Sequence, residues 1–114
     1  MTQLVEKRCQ ACTGETPALR PKEIFRLHEQ VSDWLITTGH KLVRRFTCED
    51  FEKAIALVNR VAVIAEEEDH HPAITIDYKR VTFTIWTHAI DGLSENDFIL
   101  AAKIDQAFAE GDYE

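Results

Sequence analysis

Two histidines stand side by side at positions 70 and 71, and a third follows at 88. An unperturbed imidazole titrates near neutrality, so it can give or take a proton at working pH. A dehydration needs an acid to protonate the departing hydroxyl. It also needs a base to take a proton from the atom that forms the new double bond. Two or three convergent histidines could supply both without metal or nucleotide. The first pair lies in Asp69-His70-His71-Pro72, where proline stiffens the segment. A plain polar loop between helix and strand accounts for the pair equally well, with His70 facing a helix C-terminus. By alternation His88 shares a strand face with Trp86 and Thr84. Trp86 there could pack a subunit interface or flank a flat ligand. Asp97 can cap a helix, orient His88, or do both. His28 falls inside a helical pattern and His40 follows Gly39 in a loop, and neither is marked for chemistry.

The elements that must hold these residues read as α-β-α-β-β-α. Pro21 opens a helix whose apolar face is Ile24, Leu27, Val31, Trp34 and Leu35, and Gly39 follows its end. Residues 41–46 form a short strand. Thr47 and Asp50 make a capping-box start, with Phe46 and Phe51 at staple positions. The stripe Phe51, Ala54, Ile55, Val58, Val61, Ala62 and Ala65 then runs to a helix end near residues 66–69. Period-two alternation predicts strands over 73–78 and 80–88, the second ending at His88. The hairpin turn between them holds neither Gly nor Asn. Ser94 and Asp97 repeat the capping grammar, Leu93 and Phe98 the staple, and Leu100, Ala101, Ile104, Ala107 and Phe108 the buried stripe.

A chain of 114 residues with 45% hydrophobic content suits one globular domain, here residues 18–114 behind an N-terminal tail over 1–17. A net charge of −7 argues against direct binding of nucleic acid. No apolar run approaches the length of a membrane span. Three cysteines, Cys9, Cys12 and Cys48, cannot all pair within one chain, and no apolar signal core precedes them, so a reduced, cytoplasmic protein is expected. Cys9-x2-Cys12 lacks a second pair, which makes it a weak zinc signal and favours a mobile tail.

The pattern Glu66-x3-His70-His71-Pro72-x5-Tyr78-x9-His88-x8-Asp97 resembles the signature of the pterin-4a-carbinolamine dehydratases. The run from Thr87 to Ser94 is similar to that family's T-H-x-x-x-G-L-[ST] segment. Phe98-Ile99-Leu100-Ala101-Ala102, Trp34, Phe46 and Asp50-Phe51 match as well. The resemblance implies an α+β two-layer sandwich: a four-stranded antiparallel sheet with three helices on one face, in α-β-β-α-β-β-α order. The extra strand would come from dividing 41–46 or from the segment after Trp34. It implies a cofactor-free hydro-lyase that turns 4a-hydroxytetrahydropterin into quinonoid dihydropterin and water, recycling the pterin used by an aromatic amino acid hydroxylase. Carried onto this chain, His70, His71 and His88 are the catalytic and pterin-contacting residues. Of these, His70 and His88 move protons and His71 anchors the ring. Asp69, Trp86 and Thr87 line the pocket, and Asp97 supports His88. Ala73 and Ile74 stand where many members carry an acidic residue and an aromatic one.

Two other readings compete. Relatives on the same fold act as a dimerisation cofactor for a transcription factor or assist Rubisco assembly; the assembly type tends to lose the histidines that this chain keeps. A metal held by His70, His71 and His88 is disfavoured, because neighbours on an extended chain point opposite ways. A homodimer or homotetramer built through the sheet edge and the long helix is implied by the resemblance. Trp86 on the outer sheet face and the short chain are compatible with it.

Overall fold

The computed structural model describes residues 3–10, 17–37 and 40–114. Gly39 and Cys12 lie outside the described residues. Three helices, α1 (Pro21–His28), α2 (Phe51–Glu68) and α3 (Glu95–Glu110), accompany four strands, β1 (Leu35–Ile36), β2 (Leu42–Thr47), β3 (Ala73–Asp77) and β4 (Arg80–Ile85). The sheet order is β1-β2-β4-β3, antiparallel throughout. Among the described residues, no helix is long and apolar enough to cross a membrane.

The core sits between the sheet and the helices. Period two puts Val81, Phe83 and Ile85 of β4 on the inner face, opposite Phe46, Arg44 and Leu42 of β2. The inward apolar strand residues meet Leu57 and Val61 from α2 and Leu100 and Ile104 from α3, all fully buried. Each such side chain contributes about 1.5–3 kcal/mol through burial. Phe46 is the aromatic hub: its ring lies 6.4 Å from Trp34, 5.8 Å from Phe83 and 4.6 Å from Phe108. Edge-on and tilted ring pairs at these separations add to the area term.

The first helix is shorter than its apolar spacing suggests. α1 stops at His28, a 3-10 turn covers Glu29–Val31, and Trp34 lies beyond both. Leu27, Val31 and Trp34 still face the core, but Leu35 does not: it is exposed and opens β1. Polar bonds explain the change of path. The Trp34 indole N–H donates to Asp105 Oδ1 at 2.7 Å, and the His28 ring meets the Trp34 carbonyl at 2.6 Å. The next residues are then free to pair with β2, which supplies the fourth strand in the segment after Trp34.

Three further boundaries differ from expectation. Thr47 ends β2, and the cap of α2 is Asp50, whose carboxylate accepts from the Lys53 N–H at 2.9 Å. Phe51 is half exposed, so no buried staple forms there. β4 ends at Ile85, and His88 begins a 3-10 turn over His88–Ile90 instead of closing a strand. The β3–β4 hairpin turns through Tyr78 at φ 54°, a left-handed conformation at a residue with no sequence signal for it.

Residues 3–10 are not a loose tail. Leu4 is 1% exposed, and a 3-10 turn covers Leu4–Glu6. Its N–H donates to Gln30 Oε1, and Lys103 Nζ donates to the Val5 carbonyl, each at 2.9 Å. One apolar anchor and a set of long-range polar bonds carry no periodicity, so the expected 1–17 tail boundary does not describe this segment.

Candidate active site

The first wall of the site is the turn after α2. Asp69 takes φ 51°, its N–H reaches the Glu66 carbonyl, and the His70 N–H reaches the Ala65 carbonyl at 3.1 Å. This is a Schellman closure, with aspartate in the left-handed position usually held by glycine. It turns the chain sharply and fixes where His70 leaves the helix. Pro72 then restricts the exit. His71 stays half exposed, its Nε2 3.2 Å from Glu66 Oε1 on the last turn of α2.

The second wall follows β4. Thr87 and Gly92 form an isolated antiparallel bridge, with the Thr87 N–H donating to the Gly92 carbonyl at 2.9 Å. The 3-10 turn His88–Ile90 is pinched between them, and Asp91 closes it at φ 47°. The loop therefore presents His88 from a short, backbone-tied frame. The His88 ring lies 4.2 Å from that of Trp86, tilted by 43°. Lys41 Nζ stands 4.1 Å over the indole, a cation–π contact that also holds the ring.

Beneath both walls lies Asp97, fully buried. Its Oδ1 meets His70 Nε2 at 2.6 Å. Its Oδ2 accepts from the Thr87 hydroxyl at 2.9 Å and the Ser94 N–H at 2.8 Å. Asp97 thus caps α3 and joins the two walls through one carboxylate. The expected partner was His88, whereas the side chain that meets it is His70. An ionised carboxylate only accepts, so this pairing places a proton on His70 Nε2 and leaves Nδ1 as acceptor in the neutral ring. The Thr87 hydroxyl is committed to Asp97, and it also contacts Ser94 Oγ at 2.7 Å.

The walls enclose a cleft of about 330 Å³. It is lined by Asp69, His70 and His71 on one side and by Trp86, Thr87, His88 and Ala89 on the other. This size lies at the lower end of the range for small-molecule pockets. The cleft brings together all six expected lining and catalytic residues, with Asp97 behind them. Two liners carried no sequence signal: Gln10, from the N-terminal segment, and Asn96, from the first turn of α3. Asn96 sits in a capping sequence that already has an explanation, and Gln10 lies 86 positions away from it. Near Gln10, burial and the adjacent Glu68 carboxylate push the Cys9 thiol up to about 12.

The sequence profile of the family described as pterin 4 alpha carbinolamine dehydratase matches residues 17–107. A Rubrobacter xylanophilus protein provisionally named pterin-4-alpha-carbinolamine dehydratase is 43% identical over 106 residues, covering 93% of this chain and 99% of its own. A Nitrosococcus oceani protein of the same provisional name is 44% identical over 109 residues, covering 93% and 96%. Among solved structures, a transcriptional coactivator/pterin dehydratase from Brucella melitensis superposes with a TM-score of 0.76 at 29% identity, covering 80% of this chain and 98% of that one. A pterin dehydratase-like protein identified as a RuBisCO assembly factor in the alpha-carboxysome gives 0.60 at 21% identity over 69% and 93%, a likeness of fold. This chain belongs to the pterin-4-alpha-carbinolamine dehydratase family.

Proposed function

We propose that this chain dehydrates 4a-hydroxytetrahydropterin to quinonoid dihydropterin and water by histidine acid–base catalysis. Membership of the family makes it a hydro-lyase of that class. The observation that carries the mechanism is the convergence of His70, His71 and His88 on one cleft, with an indole beside them and a buried carboxylate fixing His70. In the reaction the C4a–O bond breaks as an acid protonates the hydroxyl. A base takes the N5 proton as the C4a–N5 double bond forms, so no net proton is consumed. His70 and His88 are assigned the two proton transfers, and His71, half exposed at the rim, anchors the ring. Asp69, Trp86 and Thr87 line the pocket. Asp97 acts as a positioning residue through His70.

The substrate would come from an aromatic amino acid hydroxylase, and its removal would return the pterin for reduction. The same reading takes the chain as a homo-oligomer. Every residue of β3 is exposed, and Ile74 and Ile76 of that edge strand are 37% and 40% accessible. Light scattering on the purified protein measures that directly.

A coupled assay tests the reaction. A phenylalanine hydroxylase generates the 4a-hydroxypterin, and its ultraviolet decay is followed with and without this protein. Faster decay that is lost in His88→Ala supports the dehydratase. No acceleration by folded protein removes the catalytic reading and puts a non-catalytic assembly or coactivator role first.

A further inference from the structure

We infer that residues 4–10 form a strap that is the third wall of the substrate cleft, with Gln10 as a substrate-contacting residue and Glu68 as the positioning residue that holds the strap to the histidine turn. This rests on the dehydratase reading and extends its site to a segment outside the family match, which begins at residue 17.

The strap is tied down along its length. Leu4 is buried against the core, and Lys7 Nζ pairs with Glu95 at the start of α3 at 3.0 Å. Arg8 and Cys9 both reach Glu68: Arg8 Nε meets Oε2 at 2.9 Å, and the Cys9 N–H donates to Oε1 at 2.8 Å. Lys103 Nζ stands 3.8 Å from the same carboxylate. The Glu68 side chain is 4% exposed. A carboxylate this buried is costly unless donors surround it, and two of the three here come from the strap. Glu68 is also the last residue of α2, directly before the left-handed turn at Asp69 that launches His70. One side chain thus sits at the junction between the strap and the catalytic wall.

The strap ends at the cleft. The Gln10 N–H donates to Asn96 Oδ1 at 2.9 Å, and Asn96 Nδ2 donates back to the Gln10 carbonyl at 2.5 Å. This reciprocal clamp fixes the Gln10 backbone on α3, one residue from Asp97. The exposed Gln10 side chain then lines the cleft, its Nε2 3.4 Å from the Arg8 carbonyl. A carboxamide offers a donor and an acceptor side by side. The other walls offer imidazoles, a carboxylate, an indole and the Asn96 carboxamide, whose oxygen and nitrogen both bond the Gln10 backbone. The Gln10 carboxamide is the group suited to the adjacent amino, ring N–H and oxo positions on the edge of a pterin.

The test compares kcat and KM of the full chain, Gln10→Ala and Glu68→Gln in the coupled assay. Loss of one neutral hydrogen bond to substrate should raise KM roughly tenfold in Gln10→Ala with kcat within about twofold. Glu68→Gln should raise KM in the same direction by loosening the strap. Amide exchange across residues 4–10 should slow when dihydrobiopterin is added. A KM within about twofold of the parent in folded Gln10→Ala overturns the inference, whatever Glu68→Gln does. Absence of dehydration by the full chain is a different failure, that of the dehydratase reading itself, since the Gln10 comparison needs an active parent.

Discussion

His70 Nε2 and Asp97 Oδ1 lie 2.6 Å apart; the carboxylate is fully buried and the imidazole side chain is 13% exposed. The pair joins the turn after α2 to the first turn of α3, and Thr87 joins the loop after β4 to the same carboxylate. Asp97→Asn keeps the shape but gives one end of the group donors in place of lone pairs. One of its three present donors then faces another donor. Activity should fall about a hundredfold, the scale seen when an imidazole loses its orienting partner. Stability should fall by about 2 kcal/mol, the scale of a lost charged hydrogen bond. Urea unfolding alongside the coupled assay measures both.

The three histidines should separate by role. On the proposed assignment, His70→Ala and His88→Ala each remove a proton-transfer group and should lower kcat by roughly a hundredfold to ten-thousandfold. His71→Ala should act mainly on KM, because its ring stands half exposed at the rim. A smaller loss of activity in His70→Ala than in His71→Ala would sink this division.

Asp105 sets a pH dependence away from the site. Burial raises its pKa above the ordinary carboxylate value, while hydrogen bonds from Trp34 and Arg44 oppose the shift. A raised folded value means that the folded state holds this proton more tightly than the unfolded chain. Its contribution is fully present below 3.8 and fades as pH rises through the higher folded value. Asp105→Asn should remove that slope. Urea midpoints followed upward in pH from 3.8 should then fall less in the variant than in the parent.

Cys9 should be inert in the folded protein. Its thiol is pushed from 9.0 to about 12, first by burial and then by Glu68, and the thiolate is the reactive form. Iodoacetamide should label Cys9 slowly in native protein and quickly in urea, read by peptide mass spectrometry. Because the folded value is raised, this group's contribution to stability is lost between pH 9.0 and about 12. Equal labelling in both states would show that the strap does not shield it.

The helices α2 and α3 and the β3–β4 hairpin were legible because apolar periodicity over many residues leaves few alternatives. The cap of α3 was legible for the same local reason, since Ser94 and Asp97 act within one turn. The partner of Asp97 was not. Two imidazoles were candidates, and only the path of the Asp69 turn decides which one the carboxylate meets. β1 was hidden because two residues are too few to show alternation, and Leu35 keeps a helix-like spacing from Val31 although its side chain faces outward. The strap was hidden because its bonds reach across the chain: Cys9 to Glu68, Gln10 to Asn96, Leu4 to Gln30.

Asp69 and Asp91, at φ 51° and 47°, place an aspartate in glycine's conformation at the edge of each histidine-bearing loop. Selection for heat resistance alone would find glycine at these two positions, because relief of the backbone there is worth roughly 1 kcal/mol each. At Asp69 that gain would delete a carboxylate from the cleft wall and loosen the turn that aims His70. On the proposed dehydratase reading, thermostability and turnover are therefore set against each other at that residue, and a library scored only by melting temperature would select against the proposed site.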